Sequence, residues 1–341
     1  MPNTTSTLFE LLDTQSSNLF DEYGFAVHCP MVLIALSKMG ASNQQLRDYY
    51  SSWKMENPSL GKLSRQPHSG SEINIDNWQY ALHQVNQFGQ LQNFFQGWIK
   101  QSTADVVMFN VLSRIPIAPA SVAFHGLIRL AYGLEADHSG EIAAGLAALV
   151  VSNFAIELNQ SADRPQAESV AQGLTHLSNS LPNFETPAVN ITARIRAVIA
   201  DTRYAGNLPF MPANAFDQMA GCAIALYRQT SNFTALHMVT ALHAARVIFA
   251  RLPKETVAQF LPALWTAYCA AYVSIGAPSI NAIIGEPGTQ LPWEQLFARA
   301  CNSTQDHLIK MIYSCRQEYL CTDSPNLQRL YLASANAILA S

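Results

Sequence analysis

Nine histidines are spread through the 341 residues, and four of them share a context suited to holding a metal ion. His28, His125, His237 and His307 each open an apolar run of three to four helical turns, followed by a short polar turn and a second amphipathic stretch. The strings HCPMVLIALSKMGASNQQLRDYYSSW, HGLIRLAYGLEADHSGEIAAGLAALV, HMVTALHAARVIFARLPKETVAQFLPALW and HLIKMIYSCRQEYLCTDSPNLQRLYLASA align on that plan. Imidazole binds zinc, copper, iron and nickel, and must be neutral to do so, a state that an apolar, charge-poor surrounding favours. One histidine on an apolar helix is usually a hydrogen-bonded core residue. Four in equivalent positions make a shared metal site the sharper expectation.

Lys310 adds to it. It lies three residues after His307, on the same helix face, inside the apolar run Leu308 to Tyr313. Burial disfavours the ammonium form, and a neutral amine can act as nucleophile, base or carbamate former; the plain alternative is a side chain that snorkels to water. Arg129, four residues after His125, and Asp306, beside His307, are candidates to orient ligands, and each is equally ordinary as an ion-pairing residue. His243, six residues after His237, stands open as a substitute ligand, a catalytic base in the substrate pocket or a core residue. His68, His83, His138 and His176 lie in polar or loop-like contexts and are read as non-ligands. There is no G-x-S-x-G elbow, Walker loop, G-x-G-x-x-G or H-E-x-x-H helix, and Asp137-His138 and Asp306-His307 reverse the His-Asp order of metal phosphohydrolases.

The elements that must carry these residues are helices. Helical periodicity dominates and β-type alternation is scarce, so the fold class is all-α: one large helical domain over residues 1–341, built from helical hairpins around a central core. Helix-start signals open the second arms of three hairpins: Ser42 with Gln45, Pro253 before Lys254, and Ser324-Pro325 before Leu327. Loop-length breaks fall at Asn57 to Gly70, Pro182 to Pro187, Gly206 to Pro212 and Gly276 to Pro292, and unequal insertions between the four units exclude a regular solenoid.

Composition agrees with a thick helical body. Hydrophobic residues make up 49% and charged residues only 13%, about half the usual charged share. The net charge of −4, with no basic cluster, leaves no footprint for nucleic acid or an anionic membrane surface. Met1 to Asp13 lacks the features of a secretory signal, so a cytoplasmic location is expected. The charge-free stretch Thr256 to Gly285 is interrupted by Pro262, Pro278 and Asn281 and reads as a buried core helix rather than a membrane span. Cys29, Cys222, Cys269, Cys301, Cys315 and Cys321 form no C-x-x-C pair and are expected as buried reduced thiols.

Several segments together resemble the questin oxidase-like family, whose members include oxygenases that open rings in anthraquinone and related aromatic polyketides. They are His28 with Met31 and the stretch Leu33 to Ser42, FHGLIRLAYGLE from Phe124 to Glu135, HMVTALHAAR from His237 to Arg246 and DHLIKMIYSCRQEY from Asp306 to Tyr319. The segment from Trp78 through Phe95 to Leu112 is also similar. The resemblance implies a non-haem Fe(II) centre with His28, His125, His237 and His307 as ligands, His243 competing with His237, and Lys310 as a lysine carboxylated by carbon dioxide. It further implies dioxygen and a hydrophobic aromatic small molecule as reactants, NADPH as a reductant, and oxygen insertion beside a carbonyl or ring cleavage as the chemistry. Two other readings fit the same residues: a non-catalytic helical interaction protein, which would hold negligible metal, and a metal-dependent hydrolase, which would turn over without dioxygen.

Overall fold

The computed structural model describes residues 4–14, 19–20, 26–57, 72–159, 161–280 and 290–340. Within them are sixteen α-helices and no strand; an isolated bridge joins Phe20 and Ala26. After α1 (Thr4–Asp13), the first hairpin is α2 (Cys29–Lys38) and α3 (Asn43–Glu56). Two 3-10 turns (Trp78–Ala81, Val85–Gln87) and helices α4 (Phe88–Gln101) and α5 (Ala104–Leu112) lead to the second hairpin, α6 (His125–Ala136) and α7 (Ser139–Val151). An insertion of α8 (Val170–Ser180), α9 (Ile191–Ala200), α10 (Thr202–Asn207) and α11 (Ala215–Thr230) precedes the third, α12 (Phe233–Phe249) and α13 (Lys254–Val273). Finally α14 (Trp293–Ala300) precedes the fourth, α15 (Asp306–Cys321) and α16 (Pro325–Ala340).

The first arms of the four hairpins close a ring. Helix α2 packs on α6, α6 on α12, α12 on α15, and α15 back on α2; the second arms α3, α7, α13 and α16 each pack on their own first arm. Inner helices with protein on nearly every side must be apolar all round, which is where the low charge of the chain goes. Every residue of α6 from His125 to Leu134 is buried, as is every residue of α12 from Thr234 to Ala245.

Local chemistry accounts for the helix boundaries. Ser42 and Gln45 form the reciprocal capping box expected from sequence, α13 begins at Lys254 after Pro253, and α16 begins at Pro325. The third unit differs from expectation. Its first arm starts at Phe233, because the Asn232 side chain accepts a 2.8 Å hydrogen bond from the Thr234 amide, so His237 lies one turn inside the helix. Helix α13 is a core helix whose polar atoms are satisfied by protein: Trp265 Nε1 donates to the Pro209 carbonyl and the Tyr268 hydroxyl to the Met219 carbonyl. Among the described residues no helix is long and apolar enough to cross a membrane. The loop expected at Asn57 to Gly70 lies outside the described residues from position 58, as does 281–289 of the last loop and of the charge-free stretch. No cysteine is in a disulfide; of the six expected to be buried, Cys222 is only partly so and Cys321 is exposed at the last turn of α15.

Helices α6 and α7 approach each other closely. A Cβ added at Gly145 would lie 2.4 Å from the Leu130 backbone, and one at Gly133 would lie 2.6 Å from the Ile142 nitrogen. The two helices therefore meet backbone to backbone, which holds the His125-bearing helix in place. Gly145→Ala is expected to lower stability by about 1–3 kcal/mol through overpacking, seen as a lower urea midpoint at unchanged slope. An unshifted midpoint would contradict this close contact.

Candidate metal centre

At one end of the helix ring the four hairpin histidines converge. His28 is the N-cap of α2, His125 opens α6, His237 lies one turn into α12, and His307 is the second residue of α15. The Nε2 atoms of His28 and His125 are 2.8 Å apart, with their rings stacked. One ligand nitrogen from each of His28, His237 and His307 falls within 4.8 Å of the others.

The opposite ring nitrogens are held by the chain. His125 Nδ1–H donates to the Val122 carbonyl and His237 Nδ1–H to the Phe233 carbonyl, each at 2.7 Å. Both donations fix the tautomer that leaves Nε2 with a free lone pair. His28 Nδ1 is 3.5 Å from Asp306 Oδ2, while the Tyr49 hydroxyl donates a 2.6 Å hydrogen bond to Asp306 Oδ1. A tyrosine on α3 thus steadies the carboxylate beside His28. The buried Nε2 atoms of His237 and His307 have no hydrogen-bond partner.

Backbone strain concentrates at the same place. Val122, Ala123 and Phe124 have φ of 51°, 53° and 69°, three consecutive left-handed residues with no glycine among them. Each costs energy, the β-branched Val122 most, and such runs persist only where the surroundings impose them. Here the Ala123 amide donates to Thr192 Oγ1 at 2.7 Å, and the turn places the Val122 carbonyl against His125.

Lys310 is 1% exposed. Burial brings its pKa down to about 8, against the opposing pull of Asp306. The imidazoles shift with it. Burial, Lys310 and the neighbouring imidazoles push His28 well below its usual value, and burial followed by His237, His28 and Lys310 does the same to His125. Burial and then Lys310 bring His237 to about 4 and His307 to about 3. All four are therefore neutral near pH 7, as ligands must be.

An acid sensitivity follows for the metal-free protein. The unfolded chain protonates its histidines near 6.5, whereas folded His237 and His307 take protons only near 4 and 3, so the unfolded state binds more protons across that interval and stability falls as pH falls. His237 alone is expected to account for on the order of 3 kcal/mol between about pH 6.5 and pH 4. Urea denaturation of chelator-treated protein over this range checks it; a flat profile would contradict the neutral cluster.

The donor set fits a metal ion. Two nitrogens at right angles, each about 2.1 Å from one ion, stand about 3.0 Å apart, and two opposite ones about 4.2 Å apart. The 2.8 Å pair is close to the spacing of two adjacent ligands, and the triplet, whose atoms lie within 4.8 Å of one another, is slightly wider than the span across one ion. The other candidates lie elsewhere. Arg129 donates to Glu141 through Nε at 2.7 Å and a terminal nitrogen at 3.2 Å, a buried ion pair across the α6–α7 contact rather than a bond to a histidine of the cluster. His243 belongs to a second polar layer of the helix ring: Nε2 lies 3.2 Å from Glu135 Oε1, Nδ1 lies 3.1 Å from Ser314 Oγ, and the Tyr313 hydroxyl donates to the same Glu135 oxygen. His138 caps α7 by accepting from the Glu141 amide.

A mostly apolar cavity of about 920 Å³ opens onto His28, His125, His237 and His307, with Phe233 and the first turns of α9 in its wall. Phe233 packs edge-on against both His237 and His307 while 54% of it stays exposed. Sequence reasoning did not find Tyr49, the strained turn or the α9 wall, for which no motif exists.

Among known proteins, a family model described as questin oxidase-like matches residues 25–315 of the 341. No curated protein matches the chain.

Proposed function

The chain belongs to the questin oxidase-like family, and from that membership together with the four converging imidazoles we propose that it is a non-haem iron-dependent oxygenase of an aromatic polyketide or quinone-like substrate. The family description makes it an oxidase, hence an oxidoreductase. The observation that carries the finer reading is the pair of buried, unpartnered Nε2 atoms of His237 and His307, two residues that line the same open cavity as His28 and His125. Iron bound by His28, His125, His237 and His307 would supply activation of dioxygen beside the substrate.

The chain's own residues do the rest. The Val122 and Phe233 carbonyls hold His125 and His237 in the ligand tautomer, and Tyr49 with Asp306 orients His28. The ring of Phe233 offers an edge and face for an aromatic body, and the apolar wall keeps water from the reacting atoms. Lys310, neutral in an appreciable fraction near pH 7, adds to carbon dioxide as its amine loses one proton to solvent. The resulting carbamate is an anionic oxygen donor in a site otherwise built of neutral imidazoles. Insertion of one oxygen atom beside a carbonyl, a Baeyer–Villiger-type outcome, needs two electrons and two protons to take the second atom to water, the part assigned to NADPH. Ring cleavage that incorporates both atoms needs no reductant.

Turnover of a hydroxyanthraquinone panel by iron-loaded protein, with and without dioxygen and NADPH, tests the proposal. Oxygen-dependent product carrying label from ¹⁸O₂ is expected; turnover that proceeds equally under nitrogen would replace the oxygenase by a hydrolase.

A further inference from the structure

The part of the cavity wall formed by α9 carries positive charge. Arg194 and Arg196, on the first two turns of α9, both line the cavity, and among the described residues its lining contains no aspartate or glutamate. Neither arginine forms an ion pair among the described residues, although the protein as a whole carries a net charge of −4. Both are fixed in place: Arg194 Nε donates to the Ala188 carbonyl at 3.0 Å, and the Arg196 guanidinium lies 4.2 Å from the centre of the Phe154 ring.

The local chain conformation adds to this field. Asn190 caps α9 by accepting from the Ala193 amide, and Asn190, Ile191 and Thr192 line the same cavity, so the positive end of the helix dipole faces it. His237, whose buried Nε2 has no hydrogen-bond partner, lines the same cavity. Helix α9 and the histidines are coupled, because Thr192 Oγ1 accepts the amide of Ala123 in the strained turn that sets His125.

We propose that the substrate carries an ionised oxygen substituent, a carboxylate or an acidic phenolate, which Arg194 and Arg196 hold at the α9 side while the aromatic body extends past Phe233 toward His237 and His307. A guanidinium recognises such an oxygen with charge-assisted hydrogen bonds, and no acid among the described lining residues competes for it. The assignment deepens the oxygenase reading of the same cavity, but binding does not require turnover.

The test is equilibrium binding to the full, metal-free chain of anthraquinone-2-carboxylate, 2-hydroxyanthraquinone below and above its phenol ionisation, and the neutral 2-hydroxymethyl analogue. The carboxylate is expected to bind about tenfold or more tightly than the neutral analogue, with an advantage that shrinks as salt rises. If phenolate serves as well, hydroxyanthraquinone tightens as it ionises. Arg194→Gln with Arg196→Gln should erase the preference, so that the carboxylate binds no more tightly than the neutral analogue, and Arg194→Lys with Arg196→Gln, which keeps one charge, should retain part of it. Equal binding of all forms, or a preference that survives the double Gln variant, overturns the proposal. Failure of the oxygenase reading would show instead as absent oxygen-dependent turnover with the anion preference intact.

Discussion

His125→Ala is expected to lose most bound iron, about tenfold or more in affinity, while His138→Ala retains it. Both histidines are buried, and they stand near opposite ends of the same helix, so bulk packing alone predicts similar behaviour. They differ in what their nitrogens face. His125 has Nδ1 committed to the Val122 carbonyl and Nε2 2.8 Å from His28 Nε2, so its removal takes a donor from the cluster and leaves the strained turn holding nothing. His138 spends its ring on the Glu141 amide and lies 3.2 Å from Asp13, so its removal costs a helix cap, about 1 kcal/mol, and no ligand. Elemental analysis of untagged protein after iron supplementation, with unfolding measured in parallel, separates the two. Equal iron retention would remove His125 from the site.

Lys310→Met gives the second large effect, and its sign is informative. A carboxylated Lys310 would donate an oxygen to the ion, and on that reading its loss should weaken iron binding about 100-fold or more and make activity insensitive to added bicarbonate. An ammonium at the same place would repel a divalent cation from four neutral imidazoles, and Met there would tighten binding. The charge of Lys310 acts on each of the four histidines, so either change must reach the metal. Tighter iron binding in Lys310→Met, measured by competition with a chelator, would contradict the carbamate.

Much of the arrangement was legible in the chain because it is local. Capping signals at Ser42 and Pro325 and the all-round apolar first arms mark the hairpins, and equivalent histidines mark their inward ends. Closure into a ring was not legible, since the units are separated by unequal insertions and ring order is a property of distant contacts. Periodicity also could not choose between His237 and His243. Six residues apart on one helix, at about 100° per residue, the two point about 120° apart, and either direction is core in a helix buried all round. The second polar layer around Glu135, Tyr313 and Ser314 shows where His243 goes.

Asp306, a candidate to orient ligands, faces His28 on the neighbouring helix α2 and not the adjacent His307, because successive helix residues diverge by about 100°. The left-handed turn was invisible for a different reason: Val122, Ala123 and Phe124 carry none of the glycine or asparagine signals of such conformations, because here the tertiary contact with Thr192 imposes them.

The central claim is that one iron ion is held among four imidazoles at the end of the helix ring. Diffraction from crystals of the iron-loaded protein, recorded on both sides of the iron absorption edge, tests it most directly. The account predicts a single anomalous peak about 2.0–2.2 Å from Nε2 of His28, His125, His237 and His307. A peak bound by His243 and Glu135 instead, or no peak at the four histidines, would contradict it.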